Sequence, residues 1–173
     1  MSKKEKLVDE IEFTEEETKN QMLMFEGDFI KGLLAAADYK RDDSERKKIQ
    51  IVRNGQTYFE FTIRPLSEDE YDKCKTKHTK YVRNKQLGIK LPEQTNSVKY
   101  RAELIYQATI DEDREKLWDN KQVWTALGAK GMDIVTGTEV IDIALKSGEK
   151  DAVLEALDVL SGYDSNLEEV AKN

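Results

Sequence analysis

The stretch Lys47–Tyr71 reads KKIQIVRNGQTYFEFTIRPLSEDEY, and it holds the change of period on which the fold turns. From Lys47 to Ile63, β-branched and aromatic residues alternate with polar ones around Asn54-Gly55, a dipeptide suited to the left-handed backbone of a hairpin turn. Register follows from which side chains must share the buried face. A two-residue loop sets Ile51 opposite Tyr58 and Ile49 opposite Glu60, leaving Phe59, Phe61 and Ile63 on the other side. A three-residue loop, Arg53-Asn54-Gly55 with Gly55 left-handed in a bulge, pairs Ile51 with Thr57 and Ile49 with Phe59. The second gathers Ile49, Ile51, Phe59, Phe61 and Ile63 on one face, so it is the predicted register. Pro65 then ends the ladder. Ser67 is placed to cap a helix, with Glu70 closing a capping box and Leu66 stapling against Tyr71.

Toward the C-terminus, this helix is predicted to run to about Arg83, with Tyr71, Cys74, His78, Tyr81 and Val82 along one stripe. NKQLGIKLPEQ reads as a loop, and a helix follows from about Ser97 to Ile110, carrying Val98, Ala102, Ile105 and Thr109. Short capped helices fill the last third. Asp111 or Asp113 opens one near Trp118, and Asp119 caps another that Gly128 stops. Thr136 and Glu139 form a capping box before a helix that Gly148 stops. In LKSGEKDAVLEALDVLSGY (145–163), Val153, Leu157 and Leu160 form the inner face, and Gly162 takes the left-handed position that turns Tyr163 back onto Leu157. Ser165 and Glu168 open a last turn. Toward the N-terminus, Phe29, Ile30, Leu33, Leu34 and Ala37 share one helical face, while the Lys- and Glu-rich residues 1–25 read as a disordered or frayed arm.

The expected fold is mainly α with a small antiparallel β-hairpin (α+β). It is a compact bundle of about five to six short helices with the hairpin, near residues 48–64, packed on it, since a lone hairpin is marginal in water. The predicted division is an arm over 1–25, one globular domain over 26–165 (hairpin 48–64, helical part 67–165) and a tail over 166–173.

Charge and composition narrow the function. Leu, Ile, Val and Phe number 41 of 173 residues, only slightly above the roughly one-fifth below which disorder becomes the better expectation. Charged residues make up 36% and the net charge is -7, which disfavours a protein that works by neutralising phosphates. The charge is uneven: residues 48–100 carry +5 between segments of -4 and -8. A single cysteine, Cys74, allows no internal disulfide and points to a reducing compartment. MSKKEK is followed by LVDEIEFTEEE instead of an apolar run, and no segment is long and apolar enough to span a bilayer, so a cytoplasmic protein is expected.

No constellation of catalytic type stands out. His78 is the only histidine, and Cys74 lies one helical turn before it, but both share a stripe with aromatic and apolar neighbours and read as interface residues. Neither a calcium loop nor a phosphate-binding glycine loop is present. The basic segment 73–90 (Lys73, Lys75, Lys77, Lys80, Arg83, Lys85, Lys90) and Gly128-Ala129-Lys130-Gly131, with its G-x-x-G form, carry the alternative reading of a small nucleic-acid-binding or regulatory module. The lysines lie mostly opposite the apolar stripe, as a solvent face does. Trp118 and Trp124 read as core anchors or as hot spots for a partner.

IRPLSEDEYDKCK, ELIYQATI, WDNKQVWTALG and ALKSGEKDAVLEALDVLSGY together resemble the XkdN-like phage tail assembly chaperones, over roughly residues 60–165. The most telling pieces are IRPLSEDE and LKSGE…LSGY. The resemblance implies a non-enzymatic helper without cofactor or metal, from a phage-like element of a Gram-positive bacterium. Such a helper keeps the tape-measure protein soluble in the host cytoplasm during tail assembly. The tail tube protein is a further partner, nucleic acid and membrane are not, and a homo-oligomer stays open. Apolar positions spilling beyond one stripe mark Leu154, Val159, Tyr163 and Leu167 as candidate partner-binding residues, and the hot-spot reading adds Trp118 and Trp124.

Overall fold

The computed structural model describes residues 29–41 and 45–163. The expected N-terminal arm, the turn at Ser165 and Glu168, the tail and Leu167 lie outside them. The chain divides into two compact units, 1–42 and 43–173. In the first, α1 (Phe29–Arg41) forms as the spacing predicts. Phe29, Ile30, Leu33 and Leu34 lie on one face, and each is at least 60% exposed.

The second unit begins with the hairpin β1 (Lys47–Arg53) and β2 (Gln56–Ile63). The expected face is present, but a different device makes it. Arg53 pairs with Gln56 across a two-residue turn, with Asn54 and Gly55 both left-handed at φ 52° and 76°. A β-bulge then leaves Tyr58 without a partner, so Ile51 pairs with Phe59 and Ile49 with Phe61. The three-residue loop is thus corrected to a two-residue turn plus a bulge, which restores the same parity. Ile51, Phe61 and Ile63 are buried, and Ile49 and Phe59 pack against that core.

Helix α2 (Glu68–Lys77) starts at Ser67, whose hydroxyl accepts the Glu70 amide N–H at 3.2 Å. The other half of the expected capping box is absent, because the Glu70 carboxylate takes the Arg64 guanidinium instead. The helix also ends earlier than predicted. Its last turn closes at His78, and the chain continues as β3 (Thr79–Arg83) paired antiparallel with β4 (Lys90–Thr95). The predicted helix extension and loop are therefore a second hairpin. Thr79, Tyr81 and Val82 suit a strand, and the Asn84 side chain accepts the Gln86 and Leu87 amides to organise the turn, with Gly88 left-handed at φ 68°.

Helix α3 (Ser97–Ala108) is capped by the Asn96 side chain and forms the centre of the unit. Ala102, Ile105 and Ala108 are fully buried where α3 meets its neighbours. After it, Thr109 bridges to Ile63, and the Asp113 carboxylate accepts the Thr62 amide at 2.7 Å, so the first hairpin is fastened to the end of α3. One α-turn, α4 (Asp111–Asp113), runs into a π-helical turn, Arg114–Trp118. The latter swings Trp118 into the core against Phe59 and Phe61, edge-on at 5.9 and 5.3 Å.

Helix α5 (Lys121–Ala129) is capped by Asn120, since the Asp119 carboxylate accepts the Tyr106 hydroxyl. Gly128 lies inside it, and the left-handed residue beyond its end is Gly131, at φ 84°. Helix α6 (Gly137–Ala144) carries the predicted Thr136–Glu139 capping box. It ends at an extended Leu145, not at Gly148, which falls in the first turn of α7 (Ser147–Leu160). Both α6 and α7 pack on α3, and α7 also meets β1. Gly162 at φ 90° and the bond from the Tyr163 amide to the Asp158 carbonyl complete the expected Schellman end. The Tyr163 ring meets Tyr71 edge-on at 5.6 Å. The molecule is thus mainly α, with two small antiparallel hairpins where one was expected.

Candidate functional site

Cys74, His78 and Glu103 come together where α2 packs on α3. Glu103 is buried at 2% exposure. Its carboxylate accepts bonds from Lys77 at 3.1 Å and Gln107 at 3.2 Å, and His78 Nε2 lies 3.2 Å from its other oxygen. Burial alone raises the affinity of this carboxyl for a proton. The bonds from Gln107, His78 and Lys77 outweigh that, and the group sits below the ordinary carboxylate value. Cys74 goes the other way: burial first, then the charges of Glu103 and Glu70, push its thiol up to about 11. It is a protonated packing group, without the thiolate character a nucleophile needs. Two shallow cavities flank this cluster. One, of about 380 Å³, is lined by His78 and the polar ends of β4 and α3; the other, of about 190 Å³, holds Cys74, Glu70 and Glu103. Histidine and carboxylates thus open into different spaces. The cluster acts as a clamp between two helices.

A third hollow, of about 300 Å³, is more apolar and runs between β1 and α7 beside Ile49, Ile51, Val52, Val153 and Ala156. Glu149, which also lines it, holds Arg53 in a two-toothed pair at 2.6 and 3.0 Å, and Arg53 donates a further bond to the Ala144 carbonyl. Among the described residues, every buried side-chain nitrogen and oxygen has a hydrogen-bond partner. No three His, Cys, Asp or Glu side chains among them are grouped to hold a metal.

The residues singled out for partner contact are dispersed. Trp118 is 1% exposed and donates its indole N–H to Thr109 Oγ1 at 3.0 Å, which makes it a core anchor and removes it from any docking surface. Trp124 is half-buried on α5, its N–H on the Trp118 carbonyl and the Lys121 ammonium over its ring. Leu154 packs against the core from α7, whereas Val159 and Tyr163 are exposed near the end of that helix. The basic segment is partly consumed by ion pairs: Lys73 with Asp69, Lys77 with Glu103 and Lys80 with Glu93. Gly128-Ala129-Lys130-Gly131 is the end of a helix, not a free G-x-x-G loop.

Sequence reasoning missed a further apolar set. Val82, Leu87, Ile89 and Leu91 all stand exposed on the second hairpin. The signal for it was the β-rich TKYVR before Asn84 and the Gly88 turn. Read with a helical period, the same residues continued the stripe of α2.

These features define a mainly α protein whose buried polar groups, among the described residues, are spent on holding the fold, and which carries exposed apolar side chains on its surface. The chain belongs to the phage XkdN-like tail assembly chaperones, whose family model matches residues 30–173. No curated protein and no solved structure matches it. No helix among the described residues is long and apolar enough to cross a membrane.

Proposed function

We propose that this tail assembly chaperone is a non-enzymatic carrier that binds the tape-measure protein in the host cytoplasm, holding it soluble until the tail tube assembles around it. The tail tube protein is a second, transient partner. The observation that carries this reading is α1, a helix whose Phe29, Ile30, Leu33 and Leu34 form one exposed apolar stripe. A stripe of that kind suits helix pairing with an amphipathic client, because each partner removes apolar surface from water. Val159, Tyr163 and Trp124 supply further contacts in this reading, and Leu154 supports them from beneath.

Co-expression of the tape-measure protein with and without this chain tests the proposal. The expected outcome is a several-fold rise in soluble tape-measure protein and its co-purification with the chain. That rise should be lost in a Leu33→Ser/Leu34→Ser variant, whose substitutions lie outside the core. Equal solubility with and without the chain would overturn the reading.

A further inference from the structure

The hairpin β3–β4 is anchored at its base, by the Thr79 and Thr95 hydroxyls at 2.8 Å and the bond from the Asn96 amide to the His78 carbonyl. Beyond Thr79 and before Thr95, every residue but Asn84 is exposed. Two-stranded hairpins with neither face covered are marginal in water, so an arm of this length is suited to being covered by something. Its two faces differ. The register places Val82 beside Leu91, with Ile89 on the same side, and Tyr81, Arg83 and Lys90 on the opposite one. Lys80, Arg83, Lys85 and Lys90 stand against a single carboxylate, Glu93, in a chain whose net charge is -7. Glu93 is taken by Lys80. No carboxylate is paired with Arg83, Lys85 or Lys90 among the described residues.

We propose that β3–β4 is a client-docking arm that takes an acidic, amphipathic polypeptide segment, whose carboxylates meet Arg83, Lys85 and Lys90 and whose apolar side chains cover Val82, Ile89 and Leu91. This rests on the carrier function above and names the chemistry of the segment it holds. Charge selects this occupant over the alternatives. Two such arms joined edge to edge would set like charges against each other, the device by which sheet edges avoid self-pairing. Nucleic acid would satisfy the cations and leave the apolar face uncovered. An acidic, apolar segment satisfies both, and its free backbone can extend the exposed edge as a further strand.

The test uses the full chain and overlapping peptides covering the tape-measure protein of the same phage, with a single-stranded oligonucleotide as the competing polyanion. Wild type should bind the peptides rich in both acidic and apolar residues, and the affinity should weaken as salt rises. Arg83→Glu/Lys85→Glu/Lys90→Glu and Val82→Ser/Ile89→Ser/Leu91→Ser should each weaken binding by about ten-fold or more, with unchanged near-ultraviolet dichroism from the buried Trp118 showing an intact fold. Peptide binding equal to wild type in both variants overturns the arm alone and leaves the carrier function standing. Wild type that neither binds any peptide nor solubilises the tape-measure protein overturns both. Tighter binding of the oligonucleotide than of any peptide would reassign the arm to nucleic acid. Sedimentation showing a dimer that either triple variant dissolves would reassign it to a second copy of the chain.

Discussion

Glu103 shows how one residue's environment sets a measurable property. Its carboxyl is held below the ordinary value of 4.5 in the folded chain, so folding is favoured by the ionised form. The stability this contributes is present above the unfolded value and is lost as pH falls through the folded one. Thermal stability should therefore decline as pH drops below about 4.5, and Glu103→Gln should flatten part of that decline while costing about 1–3 kcal/mol at neutral pH. Unfolding curves measured across that range check both. Glu139 and Glu149 are shifted in the same direction, Glu139 by the Val135 and Thr136 amides and Glu149 by Arg53, so some slope should survive the substitution. Gly137 makes a second point about single atoms. A Cβ there would stand 2.5 Å from the Asp119 carboxylate, 2.8 Å from the Tyr106 ring and 3.2 Å from Trp118 Cβ. Gly137→Ala should cost about 1–3 kcal/mol, read from the denaturant midpoint, because none of these neighbours is a loose surface group.

At the scale of elements, the first hairpin separates what a sequence discloses from what it hides. Burial parity along Ile49, Ile51, Phe59, Phe61 and Ile63 was legible, because only one face can lie on the helices. The turn was not, since a three-residue loop and a two-residue turn with a bulge at Tyr58 satisfy that parity equally. Asn54 and Gly55 hold the turn with φ of 52° and 76°. Gly55→Ala should accordingly cost about 1 kcal/mol in thermal denaturation, although a side chain there would touch nothing. The second hairpin escaped notice for a different reason. Tyr81 and Val82 lie at helical spacing from Cys74 and His78 and at strand spacing along TKYVR, and no buried partner fixes the choice. Trp118 was legible as a core anchor or a hot spot but not as which of the two, because the π-turn that rotates it inward has no sequence signature of its own. The caps at Ser67, Thr136 and Gly162 were read from local chemistry alone. Asn120 and Gly131 were missed in favour of neighbours, Asp119 and Gly128, of equal local aptitude.

For the whole molecule, chemistry and surface are divided between different residues. The pairs that Glu103 makes with Lys77 and His78 and that Glu149 makes with Arg53 join elements of the fold. The apolar positions exposed on α1 and on the second hairpin receive the client in the proposed carrier. The most direct measurement is light scattering from purified tape-measure protein diluted out of denaturant, with and without an equimolar amount of this chain. A carrier of this kind should suppress the scattering and leave a soluble complex that can be isolated afterwards. Unchanged scattering and two proteins that separate on a sizing column would contradict it.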